Sequence, residues 1–329
     1  MTYILGDLHT RKEEPFFSAV DLVFNELYTV VVAGDTILQL GDLFHTYKPF
    51  PTEYFKIFMW INKFKEKGVS FIIMAGNNAH EYHHLQKTYA ISPLASVSSV
   101  TTLTDMTFFT VEGITYLAIP WMPDEKVRKA GFETTEDYIR DFVEKSTEKA
   151  DYLLYHYEDE TVFMGGENHG IDFTFIEDKM PNIKRIGGHI HIQSPNYIGT
   201  PYQTNVAEID QISRYYSIDK DNILTSYDFK QYVKYVNISF EDDIPLQDFK
   251  KQALLLTVSD APSVDSVYEK FKLPYTYIRD VSLKFSEIRQ LSEAKEGLDA
   301  RSSIKNLLQE YIKTNKVDEK TSDYLLSLF

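Results

Sequence analysis

Ile183-Lys184-Arg185-Ile186-Gly187-Gly188-His189-Ile190-His191 is the run around which the chain is read. An apolar approach gives way to two glycines and two imidazoles, and the chain turns soon afterwards at Ser194-Pro195-Asn196. Side chains alternate along extended backbone, so His189 and His191 are expected to point the same way and form a metal clamp. Upstream the arrangement recurs. Tyr3-Ile4-Leu5 ends at Gly6-Asp7-Leu8-His9, Thr36-Ile37-Leu38-Gln39-Leu40 at Gly41-Asp42, Val69 to Met74 at Gly76-Asn77, and Tyr152-Leu153-Leu154-Tyr155 at His156. Between these runs the spacing is helical. Phe16, Ala19, Val20, Val23, Phe24 and Leu27 follow Pro15, and a second helix spans Thr52 to Lys67 with Tyr54, Phe55, Phe58, Ile61, Asn62 and Phe64 on its face. Apolar strands alternating with helices, polar residues gathered at the strand ends, predict an α/β layered fold.

Some stretches are read less directly. Thr29 to Ala33 is rich in β-branched residues and reads as a strand, which makes Gly34-Asp35 a turn between two β runs and leaves Gly41-Asp42 as the pair that opens a loop. Thr107 to Val111 and Ile114 to Ile119 read as an antiparallel pair turning at Glu112-Gly113, and Thr134 as the cap of a helix running towards Lys149. Beyond Asp210 shorter β stretches predict a small α+β unit, followed from Ser286 by helices with an apolar stripe at Ile304, Leu307, Leu308, Tyr311 and Ile312.

The 329 residues are 43% hydrophobic and 25% charged, which suits a globular chain with a sizeable core. The absence of cysteine removes disulfides, thiolate zinc sites and cysteine nucleophiles. No apolar run approaches membrane-spanning length, so a soluble cytoplasmic protein is expected. The net charge of −15 has the wrong sign for gripping phosphate backbone over the whole surface; nucleic-acid contact would be local, metal-assisted or shared with a partner.

Asp7, His9, Asp42, Asn77, His156, His189 and His191 offer oxygen and imidazole nitrogen without sulfur, a donor set suited to manganese, iron or zinc. Taken singly, Asp7 or Asp42 would pass for a loop acid, Asn77 for a turn residue and His156 for a hydrogen-bonded histidine. Jointly they are too many for one ion with an open position and suit two ions sharing a carboxylate. Asp42, central in the order, is the natural bridge. Two cations about 3.5–4 Å apart imply phosphoester hydrolysis.

Asp7-Leu8-His9, Gly41-Asp42-Leu43-Phe44-His45, Gly76-Asn77, His156 and Gly188-His189-Ile190-His191 resemble the five ordered motifs of the calcineurin-like metallophosphoesterases. With Lys48-Pro49 and Ile119-Pro120-Trp121-Met122-Pro123, the chain is similar to the SbcD-type recombination nuclease family over about residues 1–205. Its compact length favours the phage small-subunit form, which would place it in the host cytoplasm. The resemblance implies a four-layer β-sandwich flanked by helices over 1–209, a capping domain over 210–283, and C-terminal helices over 284–329 that bind an SbcC-type coiled-coil ATPase. It further implies a homodimer formed near the helices of the first half. Two Mn2+ ions, with Mg2+ the alternative, would be held by Asp7, His9, Asp42 and His191 and by Asp42, Asn77, His156 and His189, and double-stranded DNA ends would be cleaved.

One departure stands out. The family pattern places a histidine and an acid after Gly-Asn, the histidine to protonate the leaving oxygen, whereas Asn78 and Ala79 follow Asn77 here. Asparagine is no proton donor of useful pKa. Either His80, with Glu81, takes the role after a two-residue insertion, or the general acid is lost. His45 is expected to orient a ligand, and His83 and His84 to lie on the surface nearby. Three functions follow: a manganese-dependent DNA exonuclease and endonuclease subunit, a phosphatase with the same metals, and a catalytically weakened DNA-binding scaffold.

Overall fold

The computed structural model describes residues 1–283 apart from 78, 165–166, 169, 231, 243–253 and 272–277. Asn78 and the helices expected at 284–329 thus lie outside the described residues. The first half contains β1 (Thr2–Leu5), α1 (Phe16–Val30), β2 (Thr36–Gln39), α2 (Pro51–Glu66), β3 (Ser70–Met74), the short pair β4 (Tyr82–His83) and β5 (Thr88–Tyr89), and β6 (Val100–Leu103). Then come β7 (Thr107–Val111), β8 (Ile114–Ile119), α3 (Asp124–Lys129), α4 (Thr135–Lys145), β9 (Tyr152–Tyr155), the pair β10 (Phe163–Met164) and β11 (Glu167–Asn168), α5 (Thr174–Lys179) and β12 (Lys184–Gly187). The remainder comprises β13 (Arg214–Ile218), β14 (Leu224–Asp228), β15 (Lys234–Ser239), β16 (Leu254–Ala261), α6 (Val264–Phe271) and β17 (Ile278–Leu283).

Two sheets make the body. One is ordered β14-β13-β1-β2-β3-β6, with β1, β2, β3 and β6 parallel and β13 and β14 antiparallel. The other is ordered β12-β9-β8-β7, parallel except for the β7–β8 hairpin. The two-residue alternation of each strand assigns its side chains to opposite layers. Ile4, Leu38 and Met74 meet Tyr116, Ala118, Tyr152 and Leu154 between the sheets. Tyr3, Leu5, Ile37, Phe71 and Ile73 face outward onto Phe16 to Leu27 of α1 and Ile57, Trp60, Ile61 and Phe64 of α2. Leu117, Ile119, Leu153 and Tyr155 face the other way, onto Ile139, Val143, Phe173 and Ile176. The result is the expected four-layer α/β sandwich. Full burial of each large apolar side chain contributes about 1.5–3 kcal/mol.

Four local readings are corrected. Thr29 to Ala33 is not a strand: α1 continues to Val30, and the Asp35 carboxylate accepts from Val32 N (2.7 Å) and the N-terminal ammonium (2.9 Å), turning the chain into β2. Val30 and Val32 are exposed, so their β-branched side chains have no sheet face to fill. The α4 helix begins as expected, Thr134 accepting from Asp137 N, but stops at Lys145 rather than near Lys149. The buried face of α2 is also rotated. Phe55 is 71% exposed, while Glu53 and Lys56 are buried, Glu53 accepting from Phe50 N and Lys56 donating to Asp21 and the Phe17 carbonyl. Finally, the expected boundary at 209 falls short of the end of the sheet: β13 pairs with β1, so the first unit runs on to Asp228.

Beyond it, β15, β16 and β17 form a three-stranded parallel sheet. Val267 and Phe271 of α6 pack with Ile238, Leu256, Val258 and Ala261, matching the expected small unit of strands and helix. Among the described residues no helix is long and apolar enough to cross a membrane.

Candidate metal centre

The parallel strands β1, β2 and β3 end along one edge of the first sheet, and β9 and β12 end along one edge of the second. Backbone bonds tie the emerging loops together. His9 N donates to the Asp42 carbonyl (2.8 Å), Thr10 N to Leu43 (2.9 Å), Trp121 N to Ala75 (3.1 Å) and Gly188 N to Tyr155 (2.9 Å). Three of the predicted ligands adopt left-handed backbone: His9 at φ 46°, Asp42 at φ 50° and His189 at φ 75°. Such conformations cost non-glycine residues free energy and persist where the surroundings over-determine them.

Asp42 is the hub. Its Oδ1 accepts from Asn77 N and its Oδ2 from Asn77 Nδ2, both at 2.9 Å, and Oδ2 lies 3.3 Å from His156 Nε2 and 3.9 Å from His9 Nε2. Gly76 permits this approach: a Cβ there would stand 2.0 Å from Asp42 Oδ1. His9 Nε2 faces His191 Nε2 at 2.8 Å. Asp7 Oδ1 accepts from His189 N (3.0 Å) and lies 3.5 Å from His156 Nδ1, whose own bond is to the Leu40 carbonyl. His189 turns towards Asn77 (3.4 Å, Nδ2 to Nδ1) and Glu158 (3.6 Å). The two imidazoles of His-Ile-His therefore diverge instead of pointing together, because the strand stops at Gly187 and His189 is left-handed.

All seven predicted ligands are thus brought together. Asp42, His156 and His189 present ligand atoms within 4.8 Å of one another, and so do His9, His45 and His80. Asp7 Oδ2 and His156 Nε2 are buried without a hydrogen-bond partner among the described residues, the His156–Asp42 approach being off hydrogen-bond geometry. Buried polar atoms left open in this way, on carboxylate and imidazole, fit a divalent cation. Asn77 fits less simply: its Nδ2 faces the cluster, while Oδ1 accepts from Ala79 N (2.8 Å) in a local turn. Rotating the amide, whose oxygen and nitrogen are told apart only by their bonds, would present Oδ1 to a cation.

The electrostatics follow from burial. Burial pushes Asp7 up to about 6, against the pull of His156. Burial also opposes the charge on His156 and Asp42, but their mutual attraction wins, raising His156 to about 9 and holding Asp42 below the ordinary carboxylate range. His189 and His45, desolvated and beside other cationic groups, fall to about 4.

His80 reaches the cluster. Its Nδ1 bonds the His45 carbonyl (2.7 Å), its ring stacks on His45 and meets His9 edge-on at 4.5 Å between centroids. The expectation is that His45 orients a ligand; among the described residues its ring makes no hydrogen bond to one, and its carbonyl holds His80 instead. Glu81 points away, wholly buried, accepting from Gly76 N (2.7 Å) and Phe44 N (3.2 Å) and so pinning the Asn77 loop to the Asp42 loop. Burial, then the Asp42 charge, push it up to about 8. His83 is buried, not on the surface, whereas His84 is exposed. Sequence reasoning missed Glu208, which holds His191 Nδ1 at 2.7 Å; an acid in a polar loop carries no signal of burial.

Beside the cluster opens a cleft of about 390 Å3, lined by Asn77, Ala79, Trp121, His156, Tyr157, Glu158, Ile171 and His189. One wall is aromatic, the other carries the candidate ligands. No curated protein matches the chain. A model of the calcineurin-like phosphoesterase family matches residues 2–193, the stretch that contains all seven candidate ligands. A sandwich of two sheets whose strand ends converge on paired carboxylates and imidazoles, and a match over more than half its length, make this chain a member of the calcineurin-like phosphoesterases, with the metal-dependent phosphoesterase domain of that family.

Proposed function

We propose that the chain is a Mn2+-dependent DNA exonuclease and endonuclease subunit of the SbcD type, with Mg2+ as the alternative ion. The observation that carries the reading is the convergence on Asp42 of two ligand groups. His9 and His191 meet on one side of Asp42, and Asn77 and His156 lie against its carboxylate on the other with His189 beside them; Asp7, which contacts His156 and His189, is assigned to the first group by the family resemblance. When bound, a cation pair supplies polarisation of the phosphoryl oxygens and activation of the attacking water. Water oxygen adds to phosphorus, the ester P–O bond breaks, and the leaving oxygen takes a proton. His80 supports the donor role, since its Nδ1 is fixed by the His45 carbonyl beside His9. The aromatic wall of the cleft at Trp121 supports a nucleic-acid substrate, because a base can stack on it. A double-stranded end, an SbcC-type ATPase held by residues 284–329, a homodimer and a capping role for the unit around β15 to β17 complete the reading.

The test is digestion of linear duplex DNA in Mn2+, with and without the ATPase. His80→Gln is expected to lower the rate by roughly 10²–10⁴-fold with Mn2+ affinity kept. Cleavage of phosphomonoesters but not of DNA would point to a phosphatase. Tight duplex binding without cleavage, with cleavage gained on Asn78→His together with Ala79→Asp, would point to the weakened scaffold.

A further inference from the structure

Glu208 ends a short 3-10 turn, Val206–Glu208, and is 1% exposed. It lies outside the family match, which stops at residue 193. Its Oε1 meets His191 Nδ1 (2.7 Å) and accepts from Thr204 Oγ1 (2.8 Å) and Asn205 Nδ2; its Oε2 accepts from Thr204 N (2.7 Å) and Thr200 Oγ1 (3.3 Å). A buried carboxylate is costly unless its lone pairs are filled. Here backbone, hydroxyl and amide donors fill them, and among the described residues the one titratable group bonded to it is His191.

That environment takes an acceptor and nothing else. A glutamine would set an N–H against Thr204 N or against His191 Nδ1. A carboxylate oxygen that accepts at Nδ1 places the imidazole proton on Nδ1 and leaves Nε2 with a bare lone pair. That Nε2 lies 2.8 Å from His9 Nε2. We propose that Glu208 is a positioning residue for the metal centre: through Nδ1 it fixes the tautomer and ring plane of His191, so that Nε2 is offered beside His9 to one of the two cations. The inference rests on the two-cation reading of the cluster, but its first test does not need a metal.

In the metal-free full chain, 15N NMR of the histidine ring is expected to show His191 protonated at Nδ1. Nε2–H protonation there would overturn the proposal, whatever the fate of any variant. Titration with Mn2+, followed by the EPR signal of the free ion, is expected to show two ions bound by the wild type. Glu208→Gln is expected to weaken one of them about 10–100-fold, leaving the other within about two-fold. On a His191→Ala background the same change should cost nothing further. Equal weakening of both ions, a further loss without His191, or wild-type binding by Glu208→Gln would each refute the role. Failure of the wild type to bind Mn2+ would instead refute the two-cation reading, with the NMR result still deciding the tautomer.

Discussion

Gly76→Ala tests the assembly of the centre with one methyl group. A Cβ at residue 76 would lie 2.0 Å from Asp42 Oδ1 and 2.2 Å from Asp42 N, where real Cβ contacts below 3.0 Å are essentially never found. The side-chain oxygen could rotate aside, but the backbone nitrogen cannot. Asp42 is further held by His9 N on its carbonyl and by Asn77 N on Oδ1. Relief therefore moves the Asp42 loop against the Asn77 loop by about 1 Å, a displacement that costs on the order of 10²-fold in rate when it separates catalytic groups. Overpacking adds about 1–3 kcal/mol of lost stability. The assay is Mn2+-dependent hydrolysis of bis(p-nitrophenyl) phosphate, with thermal unfolding and Mn2+ titration alongside. Gly113→Ala is the control: its Cβ would meet nothing within 4 Å, though φ is +84°, so it should cost roughly 1 kcal/mol of stability and no activity. A Gly76→Ala protein with wild-type rate and Mn2+ affinity would refute the idea that Asp42 is the hub.

Three further outcomes are expected. His156 is raised from 6.5 to about 9, so its charged form stabilises the metal-free protein fully below pH 6.5 and that contribution is lost as pH rises through about 9. The melting temperature of the metal-free protein should fall across that window, while calorimetry should show a proton released on Mn2+ binding below pH 9 and affinity rising towards it. Glu81→Ala removes the acceptor of Gly76 N and Phe44 N; chemical unfolding should show a loss of roughly 2–5 kcal/mol, with weaker Mn2+ binding as the two loops separate. Asp21→Ala strips the partner of Lys56 Nζ and Trp60 Nε1 far from the cluster, and should cost about 1–3 kcal/mol by the same assay with unchanged turnover.

The fold was legible where burial and local pattern agree. Tyr3-Ile4-Leu5 and Tyr152 to Tyr155 are apolar throughout because layers cover both faces, and the hairpin at Glu112-Gly113 announces itself by its turn. Val31 and Val32 misled because β propensity reports fit to a sheet, and the Asp35 turn leaves no sheet there. The membership of β13 was hidden for another reason: a strand of Arg214, Tyr215, Tyr216, Ser217 and Ile218 does not say which edge it joins. In the site, the candidate ligands were legible because chemistry restricts such donors to acids, amides and imidazoles at strand ends. Their support was not. Glu208, Thr204 and the Leu40 carbonyl are defined by contacts across the molecule that no spacing encodes.

The pairing of β1 with β13 bears on how the chain is made. During synthesis β1 acquires β2 within the first forty residues, but its other side stays unpaired until Arg214–Ile218 emerges. Until then Thr2–Leu5 presents open N–H and C=O groups to any strand that arrives, including one from a neighbouring nascent chain. Tyr202, whose hydroxyl donates to the Leu8 carbonyl, steadies the Asp7 loop equally late. The ribosome thus adds every candidate ligand before it begins β13, the strand that pairs the second side of β1, so a nascent chain halted at residue 209 would carry all seven donors on an unfinished scaffold.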